Sequence, residues 1–96
     1  MKKISNDEKE KSLEPLLKTG WVYLSERDAI TKKYTFSNFV EAFGWMSKAA
    51  IVSEKLNHHP EWSNVYKTVE IRLTTHDVGG LSSLDLELAS ILDSLN

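Results

Sequence analysis

The sequence predicts an α+β domain, in which helices cover one face of an antiparallel sheet of four strands. Three segments carry apolar residues at helical spacing, two others alternate between apolar and polar residues, and turn-forming residues separate them. The predicted order of elements is α-β-β-α-β-β-α, which is typical of a sheet packed by helices on one side. We expect residues 1–96 to form a single domain, because a chain of this length builds one modest core.

The first helix is predicted over residues 6–18, after a start at residues 1–4 that we expect to be frayed. Ser5 followed by Glu8 has the form of a capping box, in which a hydroxyl and a carboxylate satisfy free N–H groups of the first turn. Pro15 lacks an N–H and crowds the preceding turn, so we expect a kink or break inside this helix.

Two strands are predicted next, at residues 21–24 and 29–36, and a polar turn between them makes a hairpin. The first strand is a compact run of aromatic and β-branched residues. The second alternates between a polar face and an apolar face formed by Ile30, Tyr34 and Phe36, which indicates a half-buried strand.

The longest helix is predicted over residues 38–57, with Ser37 or Asn38 as its N-cap. Two neighbouring stripes give it a wide apolar face, so we expect it to lie centrally on the sheet with its aromatic residues in the core. The stripes are Phe39, Phe43, Met46 and Ala50, and beside them Ala42, Trp45, Ala49, Val52 and Leu56. Asn57 is predicted to end the helix, and Pro60 prevents its continuation.

The second half of the chain adds two strands and a helix. Residues 62–66 are predicted as a short strand and residues 68–75 as a clear one, because the latter alternate strictly between apolar and polar side chains. A pair of glycines then breaks the chain. Ser82 followed by Asp85 is predicted to cap the last helix, over residues 83–95.

The composition argues against several classes of protein. Twelve Lys and Arg against fourteen Asp and Glu leave a net charge of −2 with no basic block, which argues against direct binding of nucleic acid or of an anionic membrane. No apolar run approaches the roughly 18 residues of a membrane span, and the charged N-terminus does not resemble a secretory signal. The absence of cysteine removes disulfides and thiolate chemistry. A cytoplasmic protein is expected, with the nucleus as the alternative location.

The three histidines are the candidates for chemistry. His58 and His59 lie side by side at the predicted helix end, and His76 follows at the end of the predicted strand. Glu54 lies four residues before His58, so we expect the two to share a helical face and His59 to point away. Histidine titrates near neutral pH, where it both gives and takes protons. Trp62 is a candidate to stack on a flat ring.

Two other interpretations of the histidines stay open at this point. A metal site ranks low, because adjacent histidines are not the i, i+4 pair typical of helical ligands and no cysteine completes a zinc site. The structural alternative is that His58 and His59 merely end the helix and that His76 ends the strand. No serine or cysteine nucleophile motif and no glycine loop for phosphate is recognisable.

The histidines belong to a longer pattern, which reads Glu54-(x3)-His58-His59-Pro60-(x5)-Tyr66-(x9)-His76-(x8)-Asp85. Further landmarks include Gly20-Trp21, Arg27-Asp28-Ala29-Ile30 and Gly80-Leu81-Ser82. The pattern resembles the signature of the pterin-4a-carbinolamine dehydratases, and the likeness extends over nearly the whole chain.

The resemblance implies a specific activity. It is the dehydration of 4a-hydroxytetrahydrobiopterin to quinonoid dihydrobiopterin, which recycles the cofactor of aromatic amino acid hydroxylases. The resemblance also implies a homodimer or homotetramer that needs no metal and no organic cofactor. Similar animal proteins bind a homeodomain transcription factor, so a protein-interaction module is the alternative function, with a hydroxylase as another candidate partner.

By the same resemblance, His58, His59 and His76 are the catalytic residues. We expect His58 and His76 to donate protons to the departing hydroxyl group, and His59 to bind the substrate and to serve as a base. The residues expected to bind the substrate are Glu54, Asn57, Trp62 and Asp85. For Asp85, capping of the last helix is the alternative role.

Asn57 departs from the family pattern, because animal members commonly have Asp at this position. An amide cannot ionise, so a role for this residue as the charge partner of a histidine is in doubt. A hydrogen-bonding or helix-ending role survives the change.

Overall fold

The structure, a computed structural model, describes residues 1–95 and confirms the predicted α+β class and order of elements. The helices are α1 (Asn6–Lys18), α2 (Phe39–Leu56) and α3 (Ser83–Ser94), and the strands are β1 (Val22–Leu24), β2 (Ala29–Thr35), β3 (Glu61–Val65) and β4 (Thr68–Leu73). A short 3-10 turn, His76–Val78, lies between β4 and α3. Within residues 1–95, no helix combines the length and the apolar character needed to cross a bilayer.

The four strands form one antiparallel sheet in the order β1-β2-β4-β3. The two central strands pair Ile30 with Leu73 and Tyr34 with Val69, and β3 pairs Trp62 with Ile71. Directly opposed residues share a face of the sheet, so these side chains all lie on one side. The fully buried members of this face form the floor of the core.

The helices cover that face and complete the core. Buried side chains of all three helices join those of the sheet in one cluster, which includes Leu13, Leu16, Trp45, Ala49, Leu88 and Leu92. Burial of this apolar surface stabilises the fold by roughly 25 cal/mol per Å² removed from water.

The structure differs from the predicted break in the first helix and from the predicted frayed start of the chain. The helix α1 continues through Pro15 without a break, because the buried Leu13 and Leu16 hold it against the core on both sides of the proline. The predicted frayed start is also paired, since Lys3 forms a bridge with Ser82. Both corrections have the same cause, which is that tertiary contacts outweigh a local preference.

Helix α2 buries one apolar stripe rather than two. Ala42, Trp45 and Ala49 are buried, whereas 47% of Phe39 and 57% of Phe43 remain exposed. The prediction that all the aromatic residues of this helix lie in the core is therefore wrong. A helix in the outer layer has only one side against the sheet, so its remaining apolar residues face outwards.

Asp93 joins the C-terminal helix to the first half of the chain. Its carboxylate accepts hydrogen bonds from Lys32 Nζ at 2.7 Å, Tyr34 Oη at 2.5 Å, Thr19 Oγ1 at 2.8 Å and Trp21 Nε1 at 3.1 Å. Burial opposes ionisation of this group, but these donors outweigh it and lower the pKa of Asp93 below its usual value. The aspartate is therefore a charged cross-link between α3 and the hairpin.

We predict that Asp93→Asn lowers the free energy of unfolding at pH 7 by about 2–4 kcal/mol, because an amide cannot accept all four bonds. A depressed folded-state pKa stabilises the protein above the unfolded pKa of about 4, and this stability is lost as pH falls through the folded pKa. The difference in the free energy of unfolding between Asp93→Asn and wild type should therefore become smaller below pH 4. Urea unfolding at several pH values measures it, with exposed Asp7→Asn as the matched control, and a gap that stays constant down to pH 3 would contradict the assignment.

Candidate active site

The three histidines meet at one open cleft of about 260 Å³. Its walls come from the end of α2 and from the segment that follows β4. The residues that line it are Asn57, His58, His59, Thr74, Thr75, His76 and Asp77. The histidine pair at the end of α2 and the distant His76 therefore lie together.

The end of α2 explains how the pair enters the cleft. Asn57 adopts a left-handed conformation with φ 52, and its N–H donates to the carbonyl of Glu54. The N–H of His58 donates back to the carbonyl of Ser53 at 3.0 Å, which completes the helix end. Asparagine tolerates this conformation better than most residues, so the predicted helix-ending role of Asn57 is confirmed.

His58 is held by a fully buried carboxylate. Its Nε2 lies 2.5 Å from Oδ1 of Asp85, and the two side chains are 11% and 0% exposed. The other oxygen of Asp85 accepts from Thr75 Oγ1 at 2.7 Å and from the N–H of Ser82 at 2.9 Å. The second of these bonds belongs to the capping box of α3. Asp85 therefore caps the helix, as predicted, and also fixes the ring of His58.

His59 pairs with Glu54, which corrects the expected pairing of Glu54 with His58. The distance from His59 Nε2 to Glu54 Oε1 is 2.7 Å, and the side chains are 55% and 79% exposed. The left-handed Asn57 takes the chain out of the helix, so the i, i+4 rule no longer applies to His58.

His76 has a carboxylate partner that the sequence did not indicate. His76 begins the 3-10 turn rather than ending the predicted strand, because β4 stops at Leu73. Its Nε2 lies 3.1 Å from Glu61 Oε2, and 77% of its side chain is exposed. Arg27 donates to the same carboxylate at 3.0 Å and is the main reason why the pKa of Glu61 falls below its usual value.

Glu61 was missed because its role depends on strand register. It lies opposite Arg72 across the β3–β4 pair, and no periodicity in the sequence connects it with His76. The only signal available was its place directly after His58-His59-Pro60. Trp62 lines a neighbouring depression with Glu61 and Arg72 rather than the histidine cleft.

Each histidine thus has its own carboxylate, and the three pairs differ in exposure. A carboxylate at one ring nitrogen orients an imidazole and selects its tautomer, which suits general acid–base chemistry at neutral pH. Within residues 1–95, no three His, Asp or Glu side chains come together in the manner of metal ligands. The cleft thus holds one nearly buried and two accessible imidazoles, an arrangement that suits proton transfer.

Comparison with known proteins matches nearly the whole chain to one family. The family model described as "Pterin 4 alpha carbinolamine dehydratase" matches residues 2–95. A relative from Roseobacter denitrificans is 59% identical over 93 residues, which are 97% of this chain and 95% of the relative. One from Dinoroseobacter shibae is 54% identical over 93 residues, covering 97% and 96%. Both are provisionally named as pterin-4-alpha-carbinolamine dehydratases.

Two solved structures share the fold. A Brucella melitensis protein described as a transcriptional coactivator/pterin dehydratase superimposes with a TM-score of 0.90 at 38% identity, covering 97% of each chain. A pterin dehydratase-like protein, described as a RuBisCO assembly factor of the alpha-carboxysome, has a TM-score of 0.70 at 19% identity. The match covers 79% of this chain and 88% of the other chain. At 19% identity it concerns the fold alone.

We predict that Asp85→Ala lowers the free energy of unfolding by about 3 kcal/mol or more, because it removes a helix cap and leaves buried donors unpaired. Asp85→Asn keeps the shape of the side chain and should cost less. The control is Asp77→Ala, an exposed residue of the same cleft, which should change stability by about 0.5 kcal/mol or less. Chemical unfolding checks this, and equal losses for Asp85→Ala and Asp77→Ala would contradict it.

Proposed function

The chain belongs to the pterin 4 alpha carbinolamine dehydratase family, and we propose that it removes water from 4a-hydroxytetrahydrobiopterin to give quinonoid dihydrobiopterin. This reaction recycles the pterin cofactor of aromatic amino acid hydroxylases, and we place it in the cytoplasm. The observation that carries the proposal is the meeting of three carboxylate-paired histidines at one cleft.

The reaction requires two proton transfers. The bond between C4a and the hydroxyl oxygen breaks as an acid protonates that oxygen, and water leaves. A base removes the proton from N5, so that a double bond forms between C4a and N5. Histidine serves both tasks at neutral pH. No metal or organic cofactor is needed to balance these steps.

We assign His58 and His76 as the proton donors to the hydroxyl group, one for each face of the ring, and His59 as substrate binder and base. The buried Asp85 holds His58 in one orientation, as an acid aimed at one atom requires. Its neighbours His59 and His76 are exposed enough to touch a substrate in the open cleft. The further contacts to the pterin come from Asn57 at the cleft wall, Glu54 behind His59, and Trp62 beside the cleft.

Purified protein should accelerate the loss of the carbinolamine absorbance when the substrate is generated by an aromatic amino acid hydroxylase. His59→Ala and His76→Ala should each lower kcat/KM by about 10²- to 10⁴-fold, because a positioned acid or base contributes that much. Both side chains are largely exposed, so these variants should keep their fold.

The matched control is Asp93→Asn, which weakens the fold at the far end of α3 and leaves the cleft intact. Its activity at a temperature well below its unfolding transition should equal that of wild type. A wild-type protein that leaves the spontaneous rate of dehydration unchanged would refute the proposed function.

We further propose that the protein self-associates through the exposed side of α2. This surface, the outer α2 face, consists of Phe39, Val40, Phe43, Gly44 and Ile51. The rings of Phe39 and Phe43 contact each other at 5.8 Å between centroids and remain exposed. A contiguous exposed apolar patch of this kind marks an interaction site.

The charges beside the outer α2 face favour a second copy of the same helix. Glu41 and Lys48 lie three residues before and four residues after Gly44, which is near the centre of the face, and both are exposed. A two-fold axis at that centre would place Glu41 of each copy opposite Lys48 of the other. A Cβ at Gly44 would meet no atom within 4 Å, so this position leaves room for the close approach of another helix.

The interaction-module alternative uses the same surface. The relative from Brucella melitensis carries the description of a transcriptional coactivator beside that of a dehydratase. A transcription factor or a hydroxylase would then compete with the second copy for the outer α2 face. Partner binding that survives loss of all three histidines would separate this role from catalysis.

Phe43→Glu should convert an oligomer to a smaller species or monomer. Truncation of a central aromatic residue typically costs 2 kcal/mol or more, which weakens self-association by about 30-fold or more. Sedimentation velocity at several concentrations measures this. The control is Val22→Glu, an equally exposed apolar residue on the edge strand β1, which should leave the assembly unchanged. A wild-type protein that is monomeric at about 100 µM, or an oligomer that Phe43→Glu does not weaken, would refute the interface.

A further inference from the structure

We propose that Asp28 is a positioning residue that fixes the segment carrying His76 and, through it, the carboxylate that orients His58. The catalytic consequence rests on the proposed dehydratase function, whereas the structural connection does not. Asp28 lies outside the histidine cleft, in the turn between β1 and β2.

The segment concerned is residues 75–80, called here the His76 loop. It is closed at its base by two backbone hydrogen bonds: Thr75 N–H to the carbonyl of Gly80 at 2.9 Å, and Gly80 N–H to the carbonyl of Thr75 at 3.2 Å. The 3-10 turn that begins with His76 lies between these ends. The position of the loop therefore depends on what holds Thr74 and Leu81, the residues that flank its base.

Asp28 contacts both flanks of the His76 loop. Its backbone carbonyl accepts from Thr74 Oγ1 at 3.0 Å, and its carboxylate oxygen Oδ2 accepts from the N–H of Leu81 at 3.2 Å. The carboxylate also lies directly against Gly80, where an added Cβ would come within 2.1 Å of Oδ2. One residue thus fixes the loop from the side where the chain enters and from the side where it leaves.

Asp28 is itself held firmly. Its other oxygen, Oδ1, accepts from Tyr23 Oη at 2.7 Å and pairs with Lys9 Nζ at 2.8 Å. Burial opposes its ionisation, but the hydrogen bonds from Lys9, Tyr23 and Leu81 outweigh burial, so the pKa of Asp28 is lowered and the group is charged at neutral pH. Its backbone is in the left-handed region with φ 50, a conformation that aspartate tolerates better than most residues.

The His76 loop connects Asp28 with two of the three histidines. It carries His76 directly, and Thr75 at its base donates to Asp85, which binds His58. Ser82, next to Leu81, donates to the same carboxylate. His59 lies outside this chain of contacts, because its partner Glu54 belongs to α2. A displacement of the loop should therefore affect His58 and His76 and spare His59.

This difference among the histidines gives a test that needs no substrate. In Asp28→Asn, the ring-proton NMR signals of His58 and His76 and their titration curves should shift from those of wild type, whereas those of His59 should not. Gly80→Ala should reproduce the pattern from the loop side, because its methyl group displaces the Asp28 carboxylate from Leu81. If Asp28→Asn does not fold, Gly80→Ala alone tests whether the contact between Asp28 and the His76 loop positions His58 and His76.

The matched control is Asp93→Asn. Asp93, like Asp28, is a carboxylate that accepts several hydrogen bonds and joins separate elements, but none of its partners belongs to the His76 loop. All three histidine signals should stay unchanged in this variant. If His58 and His76 also keep their wild-type signals in folded Asp28→Asn or Gly80→Ala, or if Asp93→Asn moves them equally, the inference is wrong.

Kinetics then test the catalytic consequence. Asp28→Asn should lower kcat/KM for dehydration by about 10- to 100-fold, because a small misplacement of catalytic groups has effects of that size. Its pH–rate profile should shift, while that of Asp93→Asn should superimpose on the wild-type profile. An inactive wild type would refute the proposed function and leave the NMR result to decide on Asp28. An active wild type with an equally active Asp28→Asn would refute the positioning role alone.

Discussion

The buried carboxylate of Asp85 is the constraint on which the site depends. A carboxyl group without exposure to water needs hydrogen-bond partners, and Asp85 finds them in three separate places: the start of its own helix, the side chain of Thr75 and the ring of His58. The sheet, α2 and α3 must all be in place before these groups converge. Asp85 therefore joins the fold to the site. One of its oxygens caps α3, and the other holds the ring of His58.

The three histidines lie in surroundings that differ in exposure. His58 is nearly buried against a buried partner, whereas His59 and His76 pair with carboxylates that water also reaches. Exposed ion pairs of this kind add little stability, so their main effect is to orient the imidazole rings. The neighbouring Arg27 adds a positive charge near His76 through Glu61, which distinguishes that side of the cleft from the side formed by α2.

Local patterns in the sequence predicted the elements well, because alternation, capping residues and helical stripes act over a few positions. The caps at Ser5, Asn38 and Ser82 and the helix end at Asn57 all belong to this class. Local patterns did not predict the contacts between residues of distant elements. The partner of His76 depends on strand register, and the partner of Glu54 changed because one left-handed residue rotated the chain. The exposure of Phe39 and Phe43 depends on how many layers cover α2, which periodicity along a single helix does not reveal.

The sheet order β1-β2-β4-β3 also has a consequence for how the protein folds. The hairpin of β3 and β4 joins neighbouring segments and brings Glu61 and His76 near each other early, but the central pair β2–β4 closes a long stretch of chain that includes all of α2. The entropy of that loop closure is lost before the contacts of the core repay it, so folding should be slower than in an all-helical chain of equal length. Partly folded chains would hold the pairs His59–Glu54 and His76–Glu61 without His58–Asp85, and the complete set of three would exist only once the last helix has docked.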